Sequence, residues 1–111
     1  MVDLAKGHVK ALGYLETLTA AGKGGMEVVN LGTGKAVSVK ELITAFGKAA
    51  GKDIPFSVGP RRPGDVEAVW ADAAKAERLL GWRAEKTLAD MCEDSWRWVS
   101  KNPDGYAKVA E

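Results

Sequence analysis

The residues with the clearest capacity for chemistry lie in one short run, Pro60-Arg61-Arg62-Pro63-Gly64-Asp65. Arginine binds phosphate through paired, charge-assisted hydrogen bonds, and flanking prolines reduce the entropy lost when the loop closes around an anion. Asp65 can either fix an arginine side chain or accept a hydrogen bond from a sugar hydroxyl. The spacing therefore leaves two interpretations open, an anion-binding loop or a turn closed by a surface ion pair.

Residues of types that often bind cofactors or metals, or that act in catalysis, also occur outside this run, but their spacing does not match a functional motif. The turn Gly32-Thr33-Gly34 lacks the third glycine of a dinucleotide fingerprint, because position 37 is Val37. Cys92 lies on the apolar face of a predicted helix without ligand partners at metal-binding spacing, which favours a buried thiol. His8 has no carboxylate one helical turn further on. We therefore predict no metal site and no catalytic residue within this chain.

The elements that must position the arginine loop follow from periodicity and capping. Helical spacing predicts a first helix at about residues 4–20 with Asp3 as N-cap, and Ser38 with Glu41 predicts a capping box that opens a second. Asp72 opens a short third helix, and Thr87 opens the last. Residues 26–31, 54–58 and 68–71 have the composition of short strands. The expected fold class is α/β, a small mixed domain of about four helices and three short strands.

The overall composition narrows the functional classes. The net charge of +1 provides no general attraction to nucleic acid or to an anionic membrane, so an anion must be bound locally. A single cysteine cannot form an internal disulfide, and no secretory leader or long apolar run is present in the sequence. We expect a globular protein of the reducing cytoplasm, with no nucleic-acid partner and no membrane partner.

Short runs along nearly the whole chain resemble, in the same order, the C-terminal portion of UDP-glucose 4-epimerases, which are extended short-chain dehydrogenases. The runs are Val2-Asp3-Leu4-Ala5 with Gly7-His8-Val9, Asn30-Leu31-Gly32-Thr33-Gly34 with Ser38-Val39, Arg61-Arg62-Pro63-Gly64-Asp65, Ala71-Asp72 with Lys75-Ala76 and Leu80-Gly81-Trp82, and Trp96 with Asn102-Pro103 and Gly105-Tyr106. The resemblance implies an NAD-dependent isomerase of galactose metabolism, in which NAD removes hydride from C4 of the sugar and returns it to the other face.

The resemblance also implies roles for particular residues. Arg62 would contact the diphosphate of UDP, Asp65 the ribose, and Arg61 would support them, while Val69 would line the hexose pocket. The family's base is a tyrosine in a Tyr-x-x-x-Lys arrangement, and neither Tyr14 nor Tyr106 has a lysine four residues later. The residues that hold NAD in the family also have no counterpart here, so we expect the chain alone to bind no NAD and to be inactive.

The expected organisation is a single C-terminal UDP-sugar-binding domain over residues 1–111, with residues 1–35 packing on the edge of a Rossmann domain that this sequence lacks. The expected partners are UDP-glucose and UDP-galactose, that Rossmann domain, and a second copy in a homodimer or domain-swapped oligomer. Two alternatives remain. The chain belongs to another nucleotide-sugar epimerase or dehydratase, or it is a non-catalytic UDP-binding or assembly module.

Overall fold

The computed structural model describes residues 1–106, and within them the chain forms four helices and no strand. The helices are α1 (Val2–Ala20), α2 (Val39–Ala50), α3 (Ala74–Leu80) and α4 (Leu88–Lys101). They belong to two compact units that interleave along the chain. The first unit joins Met1–Ala36 with Arg62–Lys86, and the second joins Val37–Arg61 with the segment that begins at Thr87. No described helix is long and apolar enough to cross a membrane.

The predicted α/β class is wrong for the described residues, because the three expected strands are absent from this part of the chain. Residues 26–31, 54–58 and 68–71 are neither helical nor paired into a ladder. A β-rich composition reflects how side chains fit a pleated, half-buried surface, and a strand forms only when a neighbour completes its backbone hydrogen bonds. Here the apolar side chains of these runs remain largely exposed, as at Val28 (63%) and Val58 (83%).

The first unit is built around the indole of Trp82, which is 3% exposed, with the fully buried Ala76 of α3 also in its core. The indole Nε1 donates a hydrogen bond to the backbone oxygen of Asp3 at 2.8 Å. Gly7 gives α1 room to approach, since a Cβ at that position would lie 3.2 Å from the same Nε1 and 2.6 Å from Cδ1 of Leu31. Glycine inside a helix lowers its stability. In α1 the close approach of Trp82 and Leu31 explains why a glycine is present at position 7.

Asp3 does not cap α1, contrary to the prediction. Met1 is the N-cap residue, and Asp3 lies in the first helical turn with only 7% exposure. Its Oδ2 accepts hydrogen bonds from the backbone N–H groups of Glu85 at 2.9 Å and Lys86 at 2.7 Å. The Lys86 bond is the main reason that the pKa of Asp3 lies below its ordinary value; burial opposes the shift, and the Glu85 bond and the Lys6 charge reinforce it.

The helix termini of the second unit confirm the predicted capping signals. The Ser38 side chain accepts from the backbone of Glu41 while the Glu41 carboxylate accepts from Ser38, and Thr87 forms the same box at α4. Gly51 ends α2 with φ +66°, the left-handed conformation that glycine adopts without strain. α4 ends at Asn102, as the Asn-Pro signal predicts.

α2 and α4 pack against each other through aromatic side chains. Phe46 meets Trp96 edge to face with ring centroids 6.2 Å apart, and the Lys52 Nζ lies 5.1 Å from the centroid of the Trp96 ring. Cys92 is 2% exposed, which confirms its prediction as a buried thiol. Trp98, two residues beyond Trp96, is 47% exposed, as expected for a position on the other side of the helix. The predicted single domain over residues 1–111, whose residues 107–111 lie outside the described range, stays a prediction.

Candidate functional site

The arginine loop contains a tight turn over residues 62–65. The backbone N–H of Asp65 donates to the oxygen of Arg62 at 3.3 Å, and Gly64 adopts φ +88°. Proline at the second position of a four-residue turn and glycine with positive φ at the third are typical of a type II turn. The order Pro63-Gly64 therefore determines this geometry locally.

The turn brings together the two residues that are predicted to contact UDP, Arg62 and Asp65, and they form an ion pair. Nε of Arg62 lies 3.3 Å from Oδ2 of Asp65, and Nη2 lies 3.5 Å from Oδ1. The Arg62 side chain is 83% exposed and that of Asp65 47%. An exposed pair of this kind contributes about 0–1 kcal/mol to stability. The structure thus contains the turn closed by a surface ion pair, one of the two interpretations of the sequence. In this turn the Arg62 guanidinium remains accessible to an anion.

The remaining predicted site residues are also on the surface. Arg61 is exposed and belongs to the second unit, whereas Arg62 begins the next segment of the first. Val69, the predicted sugar-pocket residue, is 79% exposed. The structure brings Arg62 and Asp65 into contact; the binding roles assigned to Arg61, Arg62, Asp65 and Val69 stay predictions.

Gly32 and Ala71 form a close contact that the sequence did not reveal. A Cβ built on Gly32 would lie 2.8 Å from the Cβ of Ala71, shorter than any ordinary contact. Ala71 follows Val69 by two residues, so the Gly32-Thr33-Gly34 turn abuts the segment that carries the predicted pocket residue. The available signal was a glycine just after a β-rich run, which is often a site of close backbone approach.

The N-terminus of α2, which follows the Gly32-Thr33-Gly34 turn, does not fit the pyrophosphate of a dinucleotide. Helix N-termini bind phosphate through unpaired backbone N–H groups. Here the Oε2 of Glu41 accepts the Ser38 N–H at 2.7 Å, and this bond is the main cause of the lowered pKa of Glu41. The Glu41 carboxylate already accepts a backbone N–H at this helix start, and its negative charge would repel a phosphate.

Two open cavities lie within the second unit. One, of about 720 Å³, is bordered by the C-terminal half of α2 and the residues that follow, including Lys48, Lys52 and Phe56. The other, of about 470 Å³, lies between the facing sides of α2 and α4 and includes Thr44, Ala45 and Leu88. Neither contains Arg62, Asp65 or Val69. Within residues 1–106 no cluster of His, Cys, Asp and Glu is arranged to hold a metal ion.

Comparison with known proteins defines the class to which this fold and loop belong. The family model described as GDP-mannose 4,6 dehydratase matches residues 5–95. The chain belongs to this family. Among individual relatives, the UDP-glucose 4-epimerase of Bacillus subtilis is 50% identical over 111 residues, which is 100% of this chain and 31% of the relative. That of Caenorhabditis elegans is 49% identical over 107 residues, 96% of this chain and 30% of the relative.

Solved structures agree with the sequence relatives. The UDP-glucose 4-epimerase from Bifidobacterium longum, crystallised with NAD+ and UDP, has a TM-score of 0.83 at 51% identity and covers 95% of this chain. The enzyme from Stenotrophomonas maltophila, with NAD and formylated UDP-arabinopyranose, has a TM-score of 0.79 at 42% identity. This chain spans 30% and 29% of those two chains. The predicted resemblance to UDP-glucose 4-epimerases is confirmed, and the chain spans about a third of the relatives' length.

Proposed function

We propose that this chain is the C-terminal, substrate-binding portion of an NAD-dependent UDP-glucose 4-epimerase, an isomerase that interconverts UDP-glucose and UDP-galactose. The observation that carries the proposal is identity of about half over almost the entire chain with proteins of that name. The exposed Arg62–Asp65 turn supports it, because a guanidinium on a stiff loop suits a diphosphate. We further propose that the protein acts in the cytoplasm.

In this proposal the chain binds and orients the nucleotide. Arg62 directs its planar guanidinium at the diphosphate, and Asp65, which accepts hydrogen bonds only, receives one from the ribose hydroxyls. Asp65 already holds the Nε edge of Arg62 at 3.3 Å, which limits the rotation that the arginine loses on binding. Arg61 supports the loop. Fixing the UDP end of the substrate is how such residues place a distant sugar for reaction.

NAD is assigned to the remainder of the protein. The Gly32-Thr33-Gly34 turn leads to α2, whose N-terminus holds the Glu41 carboxylate, and this does not suit a pyrophosphate. NAD supplies the hydride chemistry where it is bound. The purified chain should therefore bind no NAD and turn over no UDP-galactose. Detectable turnover by the chain alone would contradict this assignment, whereas activity regained on adding an N-terminal Rossmann fragment would support it.

Replacing Arg62 tests the UDP-binding role. In the full-length protein, Arg62→Ala should weaken UDP binding by about 1.5–3 kcal/mol, the usual contribution of a hydrogen bond to a charged group. This corresponds to a loss of about ten- to hundredfold in Kd, measurable by calorimetric titration. The control is Arg97→Ala, because Arg97 also forms an exposed i,i+3 pair, with Asp94 at 2.7 Å. Equal Kd values for the two variants would reduce the arginine loop to a structural turn.

Val69 is proposed to determine which sugars are accepted. A valine leaves room beside C2 of the hexose for an N-acetyl group, and a tyrosine there would exclude it by steric clash. In the full-length protein, Val69→Tyr should impair the reaction of UDP-N-acetylglucosamine while leaving that of UDP-glucose nearly unchanged. Equal losses of activity on both substrates would contradict a role of Val69 in steric selection of the sugar.

The exposed apolar face of α1 supports a packing role for residues 1–35. Val9, Leu12 and Leu15 are 68%, 63% and 49% exposed on a helix whose other side carries the buried Asp3 and Gly7. We propose that this face packs on the edge of the Rossmann domain in the full-length protein. Without the Rossmann domain, copies of the chain associate with each other through the same face. Light scattering should give a mass above that of the monomer, and Leu12→Glu should restore the monomer. A monomeric unsubstituted chain would contradict self-association.

The family model supports one alternative, in which the nucleotide-sugar is not UDP-glucose. Its description names a dehydratase of GDP-mannose, and an arginine loop recognises phosphate better than it recognises a hexose. A second alternative is a non-catalytic UDP-binding or assembly module. Titrating the full-length protein with UDP-, GDP- and dTDP-sugars and assaying turnover distinguishes all three. A preference for GDP-sugars favours the first alternative, and UDP binding without turnover favours the second.

A further inference from the structure

Gly32 and Ala71 come into contact across 39 positions of sequence, and both are half-buried in the first unit. Besides the 2.8 Å approach to the Ala71 Cβ, a Cβ on Gly32 would lie 3.6 Å from the Ala71 oxygen and 3.7 Å from its Cα. Only the first distance is too short for real atoms. A methyl group at position 32 must therefore push the Ala71 methyl group away until the separation reaches at least 3.4 Å, where ordinary contact begins.

The glycine is required by space and not by backbone conformation. Positive φ angles occur at Gly34 (+70°) and six other glycines, and Gly32 is not among them. Gly34 has no atom within 4 Å of a built Cβ. The two glycines of one turn thus serve different purposes: Gly34 permits the turn, and Gly32 permits the approach of Ala71. Alanine at position 32 would perturb the contact without straining the backbone.

Ala71 is held on its other side as well. The next residue, Asp72, accepts the backbone N–H of Ala74 through Oδ1 at 2.9 Å at the start of α3. The segment from Val69 to Asp72 therefore has one end fixed by the helix start and its middle fixed by the Gly32 contact. Because one residue separates Ala71 from Val69, a displacement of Ala71 is transmitted to Val69 through two peptide units.

We infer that Gly32 is a positioning residue for sugar selection: its missing side chain sets where Ala71 lies and so where the Val69 side chain meets the hexose. This inference rests on the proposed function, in which Val69 lines the sugar pocket. Small misplacements of a pocket wall change discrimination strongly, since a gate works by steric clash over distances below 1 Å. Arg62 and Asp65 are separate contacts to the nucleotide, so the affinity for UDP itself should not change.

The test uses the full-length protein and compares Gly32→Ala with the double variant Gly32→Ala/Ala71→Gly, which removes the opposing methyl group and restores the space. The control is Gly24→Ala, because Gly24 lies in the same unit, has no atom within 4 Å of a built Cβ and lacks a positive φ. The readout is the Kd of UDP-N-acetylglucosamine divided by the Kd of UDP-glucose, together with the Kd of UDP.

Gly32→Ala should change the Kd ratio by about tenfold, the scale on which a pocket discriminates one small group. The UDP Kd should stay within the error of the unsubstituted protein, the double variant should return the ratio to its original value, and Gly24→Ala should leave it unchanged. An unaltered ratio in Gly32→Ala, or an altered ratio that the double variant does not restore, would overturn the inference.

If Gly32→Ala fails to fold, the single variant Ala71→Gly is measured instead. Removing the Ala71 methyl group loosens its contact with Gly32, so the Kd ratio should change. An unchanged ratio would overturn the inference. Failure of the unsubstituted protein to turn over UDP-glucose would instead contradict the proposed function itself.

Discussion

The Trp82 anchor and the Arg62–Asp65 turn of the arginine loop both belong to the first unit and are held in opposite ways. The anchor consists of Trp82, Asp3, and the backbone N–H groups of Glu85 and Lys86, and its side chains are almost fully buried. The loop and the residues that follow it as far as Trp70 are all exposed, and the Arg62–Asp65 turn carries an exposed ion pair. Buried hydrogen bonds between distant segments fix the first region, whereas the turn and the ion pair of the second join residues three positions apart.

The difference separates the residues that stabilise the fold from the residues for which we propose a binding role. Contacts in the anchor are removed from water, so losing one leaves unpaired polar groups or an empty space. Contacts in the loop are already solvated, so losing one costs little and a ligand can replace it. A binding residue in an exposed loop can therefore be substituted without unfolding the protein, which makes its function testable.

The largest expected effect is at the centre of the anchor. Trp82→Ala removes a side chain that is 3% exposed, and it should lower the free energy of unfolding by about 3–5 kcal/mol. Trp70→Ala is the matched control, because Trp70 is 57% exposed and should change stability by only about 0.5 kcal/mol. Urea denaturation followed by circular dichroism measures both. Similar losses for the two tryptophans would remove the contrast between anchor and loop.

A smaller effect, dependent on pH, is expected at Asp3. Its pKa is lowered in the folded protein, chiefly by the Lys86 N–H, so its ionised form stabilises the fold above the unfolded pKa of about 3.9. That contribution is lost as pH falls through the lower folded pKa. The unsubstituted chain should therefore be more stable than Asp3→Asn at pH 7, and the difference should shrink towards pH 3. A difference that stays constant with pH would assign the role of Asp3 to shape and not to charge.

The smallest effect is expected in the loop. Arg62→Ala should change the free energy of unfolding by less than about 1 kcal/mol, because its partner Asp65 keeps access to water. The remaining effect should decrease further at high salt, where exposed charges are screened. Thermal unfolding at low and high ionic strength measures it. A loss as large as that of Trp82→Ala would mean that the loop is part of the core.

Sequence reasoning predicted the features that depend on neighbours in the chain. The boxes at Ser38 and Thr87 formed because each joins residues three positions apart, and the left-handed Gly51 and Gly81 end their helices through a similarly local preference of glycine. The burial of Cys92 on α4 was also predicted. In each case the deciding contacts lie within one helical turn or follow from helical periodicity.

What the sequence could not predict depends on distant segments. Asp3 has the residue type of an N-cap, yet its Oδ2 accepts hydrogen bonds from backbone N–H groups more than 80 positions away. The three β-rich runs lack ladder partners among the described residues, and no local pattern reveals a missing partner. For the arginine loop, spacing gave the Arg62–Asp65 turn as one of two alternatives. For the Gly32–Ala71 contact, the glycine after a β-rich run indicated a close approach but not the distant residue that makes it.

The separation of Asp3 from its donors also determines when the first unit can form during synthesis. Lys86 follows Asp3 by 83 positions, and residues 37–61 of the second unit intervene. At ribosomal speeds of roughly 5–20 residues per second, Asp3 waits about 4–17 s before the backbone N–H groups that bind it have been made. Closing so long a loop is entropically costly and slow, and in the meantime Gly7 of α1 lacks the Trp82 indole that packs on it in the folded chain. Residues 37–61 are thus made before the first unit can close, although they belong to the second unit.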